Sequence, residues 1–259
     1  MIIETLPRIT VFQFGVGGNG SWLVGPLCKF FNSILQRYGE DQYEINYYII
    51  DDDVVEDRNI LRQNFEPHDI GRKKITAMIR RYYSVYPYIK GMDFRADTKK
   101  KLEKIILGTL RYPGFPIIIG CADNNKTRRA IFNLLNKMDN DSLNEWEGTV
   151  YFDAGNNLEN GQITTCAWFF QGYYYSRDDW RIFTNERKFK NPPFLKMFPA
   201  KGDDDPNDQG CAFYGDQSLT INMLAATQLF ANIQTLFING VIPPNVKHFN
   251  SMGHATFEI

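Results

Sequence analysis

The feature that most narrows the fold is a short apolar run, Ile9 to Phe14, that breaks into Gly15-Val16-Gly17-Gly18-Asn19-Gly20. Beyond the glycines, apolar residues recur at Leu23, Leu27, Phe30, Phe31, Ile34 and Leu35. The β-prone run predicts a strand, and the later spacing predicts a helix over about 22–38. Strand, glycine turn and helix begin a βαβ unit, and the alternation continues. Strands are predicted at 45–50, 89–94, 116–120 and 149–153. Helices are predicted at 74–86, ended by Pro87; after an Asp97 cap, with Leu102, Ile105, Ile106 and Leu110 on one face; and at 126–138. Such alternation implies an α/β fold, a doubly wound, mostly parallel Rossmann-like sheet.

The second half loses this rhythm. Residues 162–170 read as another strand. The stretch 185–215, with Pro192, Pro193, Pro199, the run Asp203-Asp204-Asp205 and Pro206, reads as one long loop, a candidate crossover or lid. Helical spacing returns from about 216 to 239, and 245–259 reads as a closing hairpin, so antiparallel strands are added to the sheet. With 259 residues and 43% hydrophobic content, one domain over 1–259 is expected.

Charge and composition exclude some function classes. A net charge of −1 gives no broad basic footprint for nucleic acid. No stretch reads as the roughly 20 apolar residues of a membrane span, and the N-terminus lacks a signal-peptide pattern, so a cytoplasmic protein is expected. Cys28, Cys121, Cys166 and Cys211 form no CxxC pair, which argues against a disulfide framework or a thiolate zinc site.

The chemistry begins at the glycine turn, where GxGxxG lets the backbone approach phosphates and aims a helix N-terminus at them. Alone, it fits an NAD enzyme, a nucleotide-activating enzyme or a packing turn. Asp51, at the end of the second strand, suits a ribose hydroxyl in either enzyme. Beyond Asp53 come Asn59, Arg62, Gln63 and Lys74, donors and cations better suited to a triphosphate than to a pyrophosphate bridge. Asp123 follows the strand ending at Gly120 and offers a hard oxygen ligand for Mg²⁺ at the carboxyl edge of the sheet. An NAD(P)-dependent oxidoreductase leaves Arg62, Lys74 and Asp123 without a role.

Gly15 to Gly20; Asp51, Asp53, Val55, Asn59, Arg62 and Gln63; Gly71 and Lys74; and Cys121, Asp123 and Asn124 together resemble the adenylating domain of the ThiF, MoeB and HesA family, bacterial relatives of ubiquitin-activating enzymes. Asn160-Gly161-Gln162-Ile163-Thr164 looks like that family's later EGQIT strand. The ending is similar to short ThiF-like proteins of bacterial mobile elements and ubiquitin-like operons. The resemblance implies ATP with Asp51 on the ribose, Asn59, Arg62 and Lys74 on the phosphates, and Asp123 on Mg²⁺. It implies attack on the α-phosphate by the C-terminal carboxylate of a ubiquitin-like protein ending in glycine. Activation would then end in conjugation through a separate conjugating enzyme or in sulfur transfer with a sulfur-relay protein.

Cys211, ahead of the last long helix, occupies the position where ThiF-type members can take the acyl group as a thioester. The alternative is a small residue packing at a loop end. Cys28, Cys121 and Cys166 read as core fillers. The family's paired CxxC motifs are absent, so no structural zinc is expected. Little chain precedes Ile9 for the N-terminal helix whose arginine, in relatives, crosses the dimer, and Arg8 is a poor substitute. A homodimer is nonetheless expected. Asp52, Glu56 and Asp57 read as solvated turn residues, and a non-catalytic scaffold is the further alternative.

Overall fold

The computed structural model describes residues 8–96, 98–109, 114–140, 148–156, 159–169, 218–240, 243, 246–252 and 254–258. Cys211, the 185–215 stretch, Asp97, Leu110 and Tyr173 to Trp180 lie outside them.

The first strand, β1 (Arg8–Phe14), runs into α1 (Gly18–Tyr38), and β2 (Glu44–Ile50) follows. A short α2 (Asp57–Ile60) and a 3₁₀ turn (Pro67–Asp69) lead to α3 (Lys74–Tyr82) and β3 (Ile89–Met92). Then come α4 (Lys99–Thr109), β4 (Phe115–Gly120), α5 (Asn125–Asn140), β5 (Gly148–Asn156), β6 (Asn160–Phe169), α6 (Leu219–Asn239), β7 (Val246–Asn250) and β8 (Ala255–Glu258). The strands form one sheet in the order β3-β2-β1-β4-β5-β6-β7-β8. The first five are parallel, and β6, β7 and β8 join antiparallel. This is the predicted fold class, closing hairpin included.

Alternate strand residues feed two cores, as a period of two requires. Val11, Ile49, Ile117 and Ile119 face α1, α3 and α6, while Phe12, Phe14, Ile50 and Ile118 face α4 and α5. Both faces are therefore covered, which explains strands that read as continuous apolar runs.

Several boundaries depart from the sequence reading. Helix α3 ends at Tyr82, well before Pro87, because the Tyr86 side chain is needed in the core, where its hydroxyl donates to the Ile45 carbonyl. At the start of α4 the Thr98 hydroxyl accepts the Lys101 amide at 3.4 Å. One correction concerns apolar length. Leu219–Asn239 is long and apolar enough to span a bilayer, but Ile221, Ala225, Leu229, Ile233, Leu236 and Phe237 are buried in the core shared with α1 and the sheet. Packing accounts for that composition.

Candidate functional site

Because β2 lies on one side of β1 and β4 on the other, the chain reverses direction across the sheet at β1. Crevices beyond the carboxyl ends of strands at such a reversal are where open α/β sheets bind ligands. A cleft of about 280 Å³ opens there, lined by Gly15, Gly17, Gly18, Asp51, Asp53, Asn59, Arg62, Gln63, Lys74, Asp123 and Asn124. Every described site residue expected from the sequence lines it except Gly20.

The glycines do different jobs. Gly15 has a φ of +96°, and a Cβ there would lie 2.5 Å from the Cys121 carbonyl oxygen. A Cβ on Gly20 would lie 2.1 Å from the Gly15 carbonyl oxygen, so Gly20 is a packing glycine beneath the turn. At Gly17 the nearest atom to such a Cβ is Gln63 Nε2, at 3.9 Å. Here the space above the backbone is open to the cleft. The turn is clamped from below by Gln13, which donates from Nε2 to the Gly15 and Gly20 carbonyls at 3.0 and 3.1 Å and is itself held by the Tyr47 hydroxyl. A polar residue inside the run ITVFQF was the signal for it, and sequence reasoning passed over it.

Asp51 joins β2 to the same turn. Its Oδ2 accepts the Val16 amide at 2.7 Å and its Oδ1 the Asp53 amide at 2.8 Å. Burial raises its pKa, with Lys74 and these two amides pulling the other way. Next to it, a backbone clasp explains the G-x-x-K spacing. Val55 donates to the Arg72 carbonyl at 2.8 Å, Gly71 to Val55 at 2.9 Å, and Lys74 to Asp53 at 3.0 Å. Gly71 has a φ of +82°, which glycine alone adopts without strain. The clasp sets Lys74 Nζ 2.7 Å from Asp53 Oδ2.

Asn59 Oδ1 accepts the Glu56 amide at 2.8 Å in a reciprocal cap of α2, so its NH₂ end is the one available to a ligand. Glu56, read as a solvated turn residue, is the other half of that cap. Arg62 is half-buried, with its carbonyl accepting Trp22 Nε1 at 3.2 Å and Asn222 Nδ2 at 3.0 Å. Gln63 is buried, and its Oε1 has no partner among the described residues. Asp123 is exposed, with the Asn124 amide 3.3 Å from Oδ1. Asn124 also caps α5 by accepting the Thr127 amide at 2.8 Å. Arg8 lies at the other end of β1, paired with Glu44 at 2.9 Å.

Two further groups escaped the sequence reading. On the cleft floor Arg128 pairs with Asp153 at 3.1 Å, both buried, while the Tyr151 hydroxyl donates to the same oxygen at 2.8 Å. Burial raises the Asp153 pKa, and Arg128 and Tyr151 oppose that shift. A row of carboxamides also runs from the glycine turn to the last helix. Asn19 donates to Asn156 at 2.8 Å, Asn156 to Asn222 at 2.8 Å, and Asn222 to the Arg62 carbonyl. The local signals were Asp153 and Asn222, polar residues beside apolar runs.

Among the described thiols, burial pushes Cys28 up to about 12 and raises Cys121 and Cys166 further. All three are core residues, as expected. Asp51, Asp52 and Asp53 bring their carboxylates within 4.8 Å of one another. Backbone amides and the Lys74 ammonium already occupy Asp51 and Asp53, so the exposed Asp123 is the better place for a hard cation.

A family model described as the ThiF family matches residues 3–257. No curated protein matches the sequence. Among solved structures, PaaA is similar with a TM-score of 0.58 at 16% identity, covering 98% of this chain and 65% of that one. E. coli MccB solved with ATP gives 0.59 at 16%, covering 99% and 65%. The same protein with AMPCPP and MccA gives 0.60 at 16%, covering 99% and 66%. The chain thus spans about 65% of the length of these proteins, and at such identities the likeness is one of fold. A family match over nearly the whole chain, on a sheet that assembles the family's motif residues around one cleft, means that this protein belongs to the ThiF family.

Proposed function

We propose that this protein uses ATP to adenylate the C-terminal carboxylate of a peptide or protein, and that the acyl substrate is a ubiquitin-like protein ending in glycine. The observation that carries the reading is one cleft lined by the open glycine turn together with Arg58, Arg62, Lys74, Arg95 and Arg128. Cations around one approach to exposed backbone suit a triphosphate, whose charge grows and shifts as pyrophosphate leaves. Solved relatives in fold support the reading, since MccB has been captured with ATP and with AMPCPP plus MccA.

Asp51 lies on the β2 side and suits the ribose. Asn59, Arg62 and Lys74 would bind the phosphates, and Gln63 would hold Gly17 and the nucleotide in register. A carboxylate oxygen of the acyl substrate attacks the α-phosphorus, the bond to pyrophosphate breaks, and an acyl-adenylate remains. The carboxylate is already a nucleophile, so position and charge neutralisation suffice without a general base. Asp123 fits Mg²⁺, because its carboxylate is exposed at the mouth and engaged only weakly by Asn124. The ion would supply charge neutralisation at the phosphates. Cys211 is the proposed acceptor of the acyl group, its thiolate attacking the acyl carbon as AMP departs.

The test is ATP–pyrophosphate exchange with Mg²⁺ and small carriers ending in glycine. Carrier-dependent exchange that disappears in Arg62→Ala and in Asp123→Ala, both with wild-type melting curves, supports the reading. Binding of NAD(P) with no exchange would turn it toward an oxidoreductase.

A further inference from the structure

The carboxamide row has a fixed polarity. A carbonyl can only accept, so Asn222 must donate to Arg62. The Asn222 oxygen then accepts from Asn156, and the Asn156 oxygen from Asn19. No flip of one amide is possible without breaking a bond. This leaves the Asn19 side-chain oxygen as a terminal acceptor. Asn19 is 6% exposed and lines the cleft, and its oxygen has no donor among the described residues. Buried acceptors are rarely left unpaired, because their lost hydration is costly.

The side of the sheet toward which the Asn19 carboxamide reaches narrows what can satisfy its oxygen. Asp51, at the end of β2, is on one side of β1, whereas Asn19 reaches across to Asn156 at the end of β5. With the ribose at Asp51 and the phosphates over the glycine turn, the group arriving beside Asn19 is the attacking carboxylate and its neighbours. A carboxylate carries no donor. The nearest one in a peptide is the backbone N–H of the terminal residue, one carbon away.

We propose that Asn19 is a specificity-determining residue whose side-chain oxygen accepts the terminal peptide N–H of the acyl substrate, selecting peptide C-termini over free amino acids and simple carboxylates. A free amino acid would bring an ammonium to a buried neutral acceptor, and stripping that charge of its water is costly. An amide N–H meets the same acceptor without that cost. The inference rests on the adenylation reading and adds the chemistry of the acyl end.

Non-hydrolysable mimics of the adenylate test it without the natural substrate. The probes are 5′-sulfamoyladenosine and its N-acetylglycyl, O-acetylglycolyl and glycyl derivatives, with binding measured by calorimetry. The first two acylated probes differ only by N–H against oxygen. Wild-type protein should bind the N-acetylglycyl probe at least about tenfold more tightly than either of the other acylated probes. Asn19→Ala should bind the N-acetylglycyl and O-acetylglycolyl probes alike, its preference between them lost. Equal affinities in the wild type, or a preference that survives in Asn19→Ala, overturn the assignment. The wild-type comparison stands even if the variant does not fold. Failure of wild-type protein to bind both ATP and 5′-sulfamoyladenosine would instead remove the adenylation reading, and this inference with it.

Discussion

The ammonium of Lys74 lies 2.7 Å from a carboxylate oxygen of Asp53, and the two side chains differ sharply in exposure, 7% against 62%. The cation is fixed by the backbone clasp while its counter-ion stands in solvent, free to exchange for a phosphate. Lys74→Ala should therefore lower ATP–pyrophosphate exchange by about 10²–10³-fold, the usual cost of one preorganised donor at developing charge. Lys74→Arg should recover little of it, because a buried ammonium position does not accept a planar guanidinium. Exchange rates at saturating ATP check both.

The glycine turn yields a contrast between neighbours. Gly20→Ala drives a methyl into the Gly15 carbonyl and should destabilise the fold by at least the upper part of the range of about 1–3 kcal/mol seen for overpacking. Gly17→Ala meets nothing closer than 3.9 Å, so it should melt near the wild-type temperature while losing ATP affinity. Thermal melts alongside nucleotide titrations separate the two effects.

The Arg128–Asp153 pair predicts a pH signature. Removing one partner of a buried pair costs about 3–5 kcal/mol, so Arg128→Met should be destabilised by that order at pH 7.5. Burial raises the Asp153 pKa, and losing Arg128 removes the largest influence holding it down. The folded variant then keeps its proton to higher pH than the unfolded chain does. Stability should fall as pH rises from the unfolded carboxyl value, about 3.9, through the raised folded value. The variant's deficit should accordingly be smaller at pH 5 than at pH 7.5 in urea melts. A deficit that grows toward acid would contradict this account.

For the cysteines, Cys211→Ala should leave pyrophosphate exchange intact and abolish any thioester to the carrier, seen as a band sensitive to reducing agent. Native alkylation should spare Cys28, Cys121 and Cys166, whose burial disfavours the thiolate. A thioester persisting in Cys211→Ala would move the acceptor role to another group.

Much of this site was legible in the sequence because its key parts are local. A glycine run after a strand, an acid at the end of the next strand, and Gly71 three residues before Lys74 all act over short chain distances, where turn geometry fixes the outcome. What escaped depends on tertiary approach. Arg128 reads as one more charge on an amphipathic helix, and Asp153 as the end of a strand; only the stacking of α5 under β5 makes them a pair. Gln13 and Asn222 were visible as polar breaks in apolar runs, but nothing local says what lies opposite them. Helix ends shifted for the same reason, with Tyr86 taken by the core before Pro87 could stop α3.

The bond from Asn222 to the Arg62 carbonyl joins residues 160 positions apart, which sets an order in time. On a ribosome adding roughly 5–20 residues per second, a stretch of that length takes roughly 10–30 s to emerge. The five parallel strands have left the exit tunnel before α6 exists to brace the arginine loop. A nascent chain can thus own the glycine turn and still lack a braced Arg62 until α6 has been made.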